Sequence, residues 1–225
     1  RSSGSAKARR GSAPERLISQ REKRPGSIAP RGDYKTDVLI VGYGAAGANA
    51  AIAAHDAGAR VLIIEKIGCP GGNSGVCAGA MLMPESIEDA VRYYRALSFG
   101  TVDEEMIRAF AEAMVDIPRL LTGLGAEFTV RRRDPAYFPS LLTAPIQRIQ
   151  VSPTGVDGFR FLQNLVEGRG IEVLMETRAT ALIQDPQTRE VTGVKAQRKG
   201  KEMTLMARRG VGLACGGYEY NPEML

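Results

Sequence analysis

The sequence has little of the side-chain chemistry on which many enzymes depend. Its 225 residues include one histidine, three cysteines and no tryptophan. A Ser-His-Asp or Cys-His nucleophile would have to depend on His55, which is more simply a packed or surface residue of an Ala-rich helix. Cys69, Cys77 and Cys215 show neither disulfide pairing logic nor metal-ligand spacing. These absences argue against a hydrolase and against a metal site built from this chain.

Long apolar runs are also absent. No segment approaches the roughly 18 consecutive apolar residues of a membrane helix, so we expect no membrane span. Residues 1–35 carry ten Lys/Arg against three Asp/Glu, whereas the remaining residues carry 20 against 22. This basic segment has too few apolar residues to fold and lacks the apolar core of a signal peptide. We predict a disordered leader over residues 1–35, rather than an arm for nucleic acid or anionic lipid, and a cytoplasmic protein.

Two short apolar segments with an Ala-rich segment between them predict a β-α-β unit. Residues 37–41 and 60–65 are rich in branched apolar side chains, which is typical of buried parallel strands. Residues 45–57 predict a helix, and Gly58 is a typical residue just beyond a helix C-terminus. Two parallel strands joined by a helix require a right-handed crossover.

The rest of the chain predicts helices followed by short strands. Ser86 and Thr101 each begin a capping-box spacing ahead of a helix-periodic segment. The Pro-interrupted segment 131–154 predicts a loop, and a helix follows over about 156–168. A series of short apolar stretches then predicts a β-meander that leads to a final strand at 211–215. The predicted fold class is α/β, with a Rossmann-like parallel sheet and an inserted β-meander.

The β-α-β unit carries a dinucleotide-binding fingerprint. Gly42, Gly44 and Gly47 match G-x-G-x-x-G directly after the first strand. In this pattern the glycines allow a tight turn, close approach of the backbone to a pyrophosphate, and close helix packing, and the helix N-terminus favours an anion. Glu65 ends the second strand, where its carboxylate would accept hydrogen bonds from ribose hydroxyls. These residues predict a dinucleotide site.

Three further segments carry a family resemblance. They are G-G-N-S at 71–74 with A-G-A at 78–80, T-R-A-T-A-L-I at 177–183, and A-C-G-G-Y-E-Y-N-P-E-M at 214–224. Together with the fingerprint they resemble the fumarate reductase and succinate dehydrogenase flavoprotein family, which includes 3-ketosteroid dehydrogenases and urocanate reductases. The resemblance spans residues 36–225. It implies an FAD-dependent oxidoreductase that transfers hydride between flavin N5 and a CH–CH or C=C substrate.

The resemblance also implies a set of cofactor-binding residues and two classes of partner. The partners are a small-molecule substrate and an electron donor or acceptor. Three departures weaken individual contacts: Tyr43 and Cys215 replace the usual residues of their motifs, and Ala80 replaces a glycine. The implied FAD contacts are Gly42, Gly44, Ala46 and Gly47 at the pyrophosphate, Glu65 and Lys66 at the ribose, Gly72, Asn73, Ser74 and Gly79 in the segment facing the flavin end, Ala179 at the adenine, and Gly216 and Gly217 close to the cofactor.

The resemblance further implies how FAD is held and how much of the family's chain is present. Covalent members carry a histidine just after the second Gly-rich segment, and residues 68–84 contain none, which implies noncovalent FAD. In the family the chain continues past N-x-E-M into a capping domain and a closing FAD segment. We therefore expect residues 36–225 to be the N-terminal part of the FAD-binding domain, lacking both.

The catalytic residues stay unassigned, and Arg148 would be the first to test if this chain turned over substrate. Residues 81–84 follow the flavin-facing segment, and we favour a core role for them over an apolar substrate pocket. Two other functions remain open, an NAD-linked Rossmann dehydrogenase and a non-catalytic nucleotide-binding module.

Overall fold

The computed structural model describes residues 33–77, 79–133, 146–151, 155–219 and 221–224. The helices are α1 (Ala45–Asp56), α2 (Asn73–Val76), α3 (Ile87–Leu97), α4 (Glu104–Val115), α5 (Ile117–Gly123) and α6 (Gly155–Gly168). The strands are β1 (Tyr34–Val41), β2 (Val61–Ile64), β3 (Ala80–Met83), β4 (Thr129–Arg133), β5 (Ile146–Gln150), β6 (Glu172–Leu174), β7 (Thr177–Gln184), β8 (Val191–Arg198) and β9 (Lys201–Leu213). Within these residues no helix combines the length and hydrophobicity needed to cross a bilayer.

The main sheet has six strands in the order β6-β2-β1-β9-β8-β7. The first four are mutually parallel, whereas β8 pairs antiparallel with both β9 and β7. The predicted adjacency of the first two strands is confirmed, with Val38 opposite Val61. Strand β1 begins at Tyr34, so its first two residues lie within the segment 1–35 that was predicted to be a leader. Residues 1–32 lie outside the described residues, so disorder there stays a prediction.

Strand β9 is one strand of 13 residues, where the sequence predicts a last strand of the meander and a separate final strand at 211–215. Its first half pairs antiparallel with β8, and its second half pairs parallel with β1 as far as Leu213 opposite Val41. Leu205 and Met206 pair with both neighbours, and the β1–β9 register shifts between Thr36 and Val38. The exposed Arg208 of β9 donates to the buried carboxylate of Asp37. The meander is therefore continuous with the parallel sheet.

A second sheet, of three antiparallel strands in the order β3-β5-β4, contradicts the predicted loop over 131–154. Met81, Ile149 and Val130 lie opposite one another across the three strands, and Ile149 is fully buried. This non-local pairing buries Ile149 in a segment whose polar, Pro-interrupted composition predicts a loop, while Val130 in the same row is exposed. Residues 134–145 lie outside the described residues.

The two predicted capping boxes have different outcomes. Ser86 is the N-cap of α3, and its Oγ accepts a hydrogen bond from the backbone N–H of Asp89 at 3.2 Å. Thr101 does not cap α4, because its hydroxyl donates to the carbonyl of Ser98 at 2.6 Å and closes the preceding turn. Helix α4 begins only at Glu104, after Asp103. The helical periodicity after Thr101 predicts an apolar face that contains Ile107, Phe110 and Met114. Ile107 and Met114 are buried, but Phe110 is 52% exposed.

The core lies on both faces of the main sheet. Side chains alternate along each strand, so Ile40 and Ile63 face α1 and α6, whereas Leu39 and Leu62 face the side covered by the meander. Ala48 on α1 packs into the first face with no exposed surface. Because both faces are covered, ligands can reach the parallel strands only at their ends.

Candidate functional site

The carboxyl ends of β1, β2 and β9 meet at one edge of the main sheet. The backbone N–H of Gly42 donates to the carbonyl of Ile64, and that of Ala214 donates to the carbonyl of Val41, both at 2.8 Å. Ligands of open α/β sheets bind outside the carboxyl ends of the strands. The three predicted segments around Gly42, Glu65 and 214–217 are therefore brought together at this edge.

The glycines of the fingerprint are required for different reasons. Gly42 has φ +106°, and a Cβ there would overlap the carbonyl of Ala214. A Cβ at Gly47 would overlap the carbonyl of Gly42, where α1 packs against the loop. In contrast, a Cβ at Gly44 would meet only ordinary contacts, 3.5 Å from the carbonyl of Gly71. The protein's own packing thus explains Gly42 and Gly47 and leaves space at Gly44.

Glu65 fastens this loop to the end of β2. Its side chain is buried, with Oε2 accepting from the backbone N–H of Tyr43 at 2.8 Å and Oε1 accepting from that of Ile67 at 3.1 Å. A carboxylate has about four acceptor positions. Glu65 therefore keeps acceptor capacity for a hydroxylated ligand while it shapes the loop.

The second Gly-rich segment packs against the first. The backbone N–H of Gly71 donates to the carbonyl of Tyr43 at 2.8 Å, and the hydroxyl of Ser74 accepts from the backbone N–H of Ala45 at 3.1 Å. Because the N-cap residue Gly44 has no side chain, Ser74 caps α1 from a distant part of the sequence. The predicted set omitted Gly71, although the doubled glycine in G-G-N-S and its φ of +116° mark it.

Helix α1 presents its N-terminus at this edge, where Ser74 accepts from the backbone N–H of Ala45. No acidic residue lies in its first turn, and the nearby Glu65 carboxylate is held by the backbone N–H groups of Tyr43 and Ile67. Ala46 in that turn is exposed, whereas Gly47 is buried. The small side chains and the positive end of the helix dipole fit a pyrophosphate.

A cavity of about 370 Å³ opens beside the two Gly-rich segments, within the range of about 300–1,000 Å³ common for small-molecule sites. Its lining is mainly apolar, with the polar side chains of Asn49, Asn73 and Ser74 among it. The predicted residues Asn73, Ser74 and Gly79 line it, and sequence reasoning missed Asn49, Phe159 and Leu162. The lining residues are Ala45, Asn49, Asn73, Ser74, Cys77, Gly79, Ala80, Met81, Ile117, Leu120, Leu121, Val151, Gly158, Phe159, Phe161 and Leu162.

Met81 lines this cavity, although a core role was favoured for its segment. Arg148 lies on β5 opposite Leu82 and is not among the lining residues. Its Nε has no hydrogen-bond partner among the described residues. Within that same part of the chain, no three His, Cys, Asp or Glu side chains are grouped to hold a metal ion.

The segment after β9 contacts the second Gly-rich segment through side chains. Asn73 Nδ2 donates to Glu219 Oε1 at 2.7 Å. Gly216 and Gly217, both exposed, lie between β9 and Glu219. Glu219 lies within the quoted 214–224 segment but was not among the predicted FAD contacts. Ala78, part of the predicted A-G-A triplet, lies outside the described residues.

Like the predicted residues of the 42–47 loop, Lys66 and Ala179 do not line the cavity. Lys66 is exposed next to Glu65, and Ala179 lies on β7 opposite Ala196. Strand β7 nevertheless begins beside the ribose-binding candidate, because the backbone N–H of Thr177 donates to the carbonyl of Glu65 at 2.7 Å. Adenine contact by Ala179 stays a prediction.

Tyr43 and Cys215 depart from the family motifs and differ in burial: Tyr43 is buried and Cys215 is exposed. The Tyr43 ring is buried and packs edge-on against Phe159, with ring centroids 5.6 Å apart. Burial, with a smaller effect of the Glu167 charge, raises the pKa of Tyr43 to about 12. Cys215, predicted to be a small strand-end residue, is exposed two residues beyond β9.

Known proteins share this fold and these segments. The model of one protein family, the FAD binding domain, matches residues 37–225. A probable fumarate reductase of Shewanella frigidimarina is 29% identical over 210 residues, covering 88% of this chain and 35% of the relative. A urocanate reductase of Eggerthella lenta is 30% identical over 224 residues, covering 87% and 35%.

A solved structure agrees at the level of the fold. The 3-ketosteroid-Δ4-(5α)-dehydrogenase of Rhodococcus jostii, in complex with 4-androstene-3,17-dione, superposes with a TM-score of 0.76 at 26% identity. The match covers 88% of this chain and 49% of the dehydrogenase. The chain spans about a third of the length of the two curated relatives.

Proposed function

Because the chain belongs to the FAD binding domain family, we propose that it is the FAD-binding part of an oxidoreductase that acts on CH–CH or C=C bonds and holds FAD noncovalently. The observation that carries this proposal is the arrangement of the 42–47 loop, fastened to buried Glu65 at the carboxyl edge of the parallel strands. The family match favours FAD over the nicotinamide alternative.

The residues have distinct roles at the adenosine and pyrophosphate end. Backbone amides of Gly44, Ala46 and Gly47 at the start of α1 would bind the pyrophosphate, because the helix terminus offers unpaired donors and a positive dipole end. Glu65 would accept hydrogen bonds from the ribose, with Lys66 beside it. Backbone groups near Ala179 would contact the adenine.

The flavin end would lie along the second Gly-rich segment and the cavity. Gly72, Asn73 and Gly79 would border it on one side, with Gly216 and Gly217 on the other, since residues without bulky side chains allow backbone to approach a ligand. Ser74 supports this arrangement by capping α1. The apolar side chains that line the cavity would exclude water from the reacting atoms.

FAD, when bound, would supply hydride exchange between its N5 and a carbon of the substrate. The names of the matched relatives support a substrate with a carbon–carbon double bond, from an unsaturated acid to a ketosteroid. The protein's contribution would be orientation and exclusion of water. A cap and a closing FAD segment, implied by the resemblance, stay a prediction that the surrounding reading frame would test.

Titration with FAD tests the binding proposal. Glu65→Ala should weaken FAD binding tenfold or more, because it removes a charged acceptor worth roughly 1.5–3 kcal/mol. Glu172→Ala, which removes an exposed carboxylate from the neighbouring strand β6, is the matched control and should leave affinity unchanged. Equal affinity of the Glu65→Ala and wild-type proteins would remove Glu65 from the site.

Reoxidation of the reduced flavoprotein tests the activity. Anaerobic addition of fumarate, urocanate or a 3-ketosteroid with a ring double bond should restore flavin absorbance if the chain transfers hydride to that class of substrate. Tight FAD binding without reoxidation by any of them would favour the non-catalytic alternative for this chain.

A further inference from the structure

Glu219 makes the side-chain contact that links the two glycine-containing segments around the cavity. Its Oε1 accepts from Asn73 Nδ2 at 2.7 Å, across a sequence separation of 146 residues. The Asn73 hydrogen bond and the residue's own backbone N–H together lower the pKa of Glu219, with the backbone effect the larger. Glu219 is therefore ionised near neutral pH, and the hydrogen bond to it is charge-assisted.

This contact fixes the orientation of the Asn73 amide. A carboxylate only accepts hydrogen bonds, so the amide group facing Glu219 has to be the nitrogen. The amide oxygen is then the group left free for a ligand, and Asn73 lines the cavity. Without Glu219, either end of the amide could face the ligand.

We propose that Glu219 is a positioning residue: it holds Asn73 so that the amide oxygen faces the flavin end of FAD. This inference rests on the proposed function.

The test compares FAD with ADP as two probes of the same protein, measured by titration. Glu219→Ala should weaken FAD binding about tenfold, the loss of one charge-assisted hydrogen bond. ADP affinity should stay within twofold of wild type, because ADP carries only the adenosine and pyrophosphate end. Glu219→Gln can donate as well as accept, so it no longer fixes which end of the Asn73 amide faces the ligand and should recover only part of the FAD affinity.

A double variant tests the assigned partner. Glu219→Ala should have no further effect once Asn73→Ala is present, because Glu219 acts on FAD only through the Asn73 amide.

Other results of the FAD and ADP titrations also test the positioning role of Glu219. Equal losses of FAD and ADP affinity in Glu219→Ala, or additive effects of Asn73→Ala and Glu219→Ala, would overturn the positioning role. Wild-type protein that binds ADP and FAD equally would also overturn it, because the flavin end would then make no contact. Failure of wild-type protein to bind either probe would instead contradict the proposed function. Thermal unfolding of each apoprotein checks that the exposed substitutions leave the fold intact.

Discussion

At the scale of single residues, the loop between β1 and α1 separates the structural use of glycine from its use in binding. Gly42 and Gly47 lie where a Cβ would overlap backbone carbonyls, so the fold itself requires them. Gly44 has extended backbone angles, φ −92° and ψ −170°, and a Cβ there would make only ordinary contacts. The same motif therefore contains two positions under structural constraint and one that is left for a ligand.

This difference predicts opposite effects of two alanine substitutions. Gly44→Ala should change the free energy of unfolding by less than about 1 kcal/mol yet weaken FAD binding tenfold or more, since its methyl group would lie where the pyrophosphate approaches. Gly47→Ala should destabilise the apoprotein by about 2 kcal/mol or more through overpacking. Urea unfolding and FAD titration of both variants check this, and a stable Gly47→Ala protein would contradict it.

At the scale of elements, the two capping-box sequences show that local pattern and helix start can disagree. Ser86 caps α3, whereas the turn over residues 98–100 places Thr101 before the start of α4. Phe99 and Gly100 in that turn both have positive φ. The chain reverses direction there, and the Thr101 hydroxyl closes the reversal instead of capping the helix.

We expect this difference to appear in stability. Ser86→Ala should lower the free energy of unfolding by about 1 kcal/mol, because α3 loses the side-chain N-cap that accepts from the backbone N–H of Asp89. Thr101→Ala should cost clearly less, because the hydrogen bond lost is exposed and local. Parallel urea titrations make the comparison, and a greater cost for Thr101→Ala would mean that it supports α4 after all.

The junction of β1 with β9 depends on a buried carboxylate. Asp37 is 4% exposed and accepts from the backbone N–H of Arg60 at 2.9 Å and from Arg208 Nε at 2.6 Å. The Arg60 hydrogen bond, with help from the Arg208 guanidinium and against the effect of burial, lowers the pKa of Asp37. The ionised form therefore stabilises the fold above the unfolded-state pKa of about 3.9, and this stabilisation is lost as the pH falls through the lower folded-state pKa.

Asp37→Asn should consequently lose about 2 kcal/mol of stability at pH 7 and show a weaker decline in stability below about pH 4. Asp56→Asn, which removes an exposed partner of Arg169, is the matched control and should have a smaller effect at both pH values. Urea unfolding at pH 7 and at pH 3 measures both. An unchanged acid response in Asp37→Asn would show that other carboxylates control acid unfolding.

At the scale of the whole molecule, the site is formed by three separate parts of the chain: the loop after β1, the end of β2 with the segment that follows it, and the segment after β9. A ligand that contacts all three stabilises only the folded state. Cofactor binding and folding are therefore thermodynamically linked in this protein.

FAD at 100 times its dissociation constant should add about 2.7 kcal/mol to the free energy of unfolding, which corresponds to an increase of about 5–10 °C in the unfolding midpoint. Differential scanning fluorimetry with and without FAD measures this shift. After acid precipitation the flavin should appear in the supernatant, since residues 68–84 contain no histidine for a covalent link. Flavin absorbance in the washed pellet would contradict noncovalent binding.

The amino-acid sequence by itself determined the β-α-β unit, the fingerprint loop and Glu65, because short-range patterns encode a strand, a turn and a helix start within a few residues of one another. The resemblance, confirmed by the family match over residues 37–225, added the cofactor. Only the tertiary structure decided the continuity of β9, the three-stranded sheet that includes β5, and the caps and links that Ser74 and Glu219 provide. Each of these depends on partners more than 20 residues away, and local propensity carries no information about which distant groups will satisfy a backbone N–H or a side-chain amide.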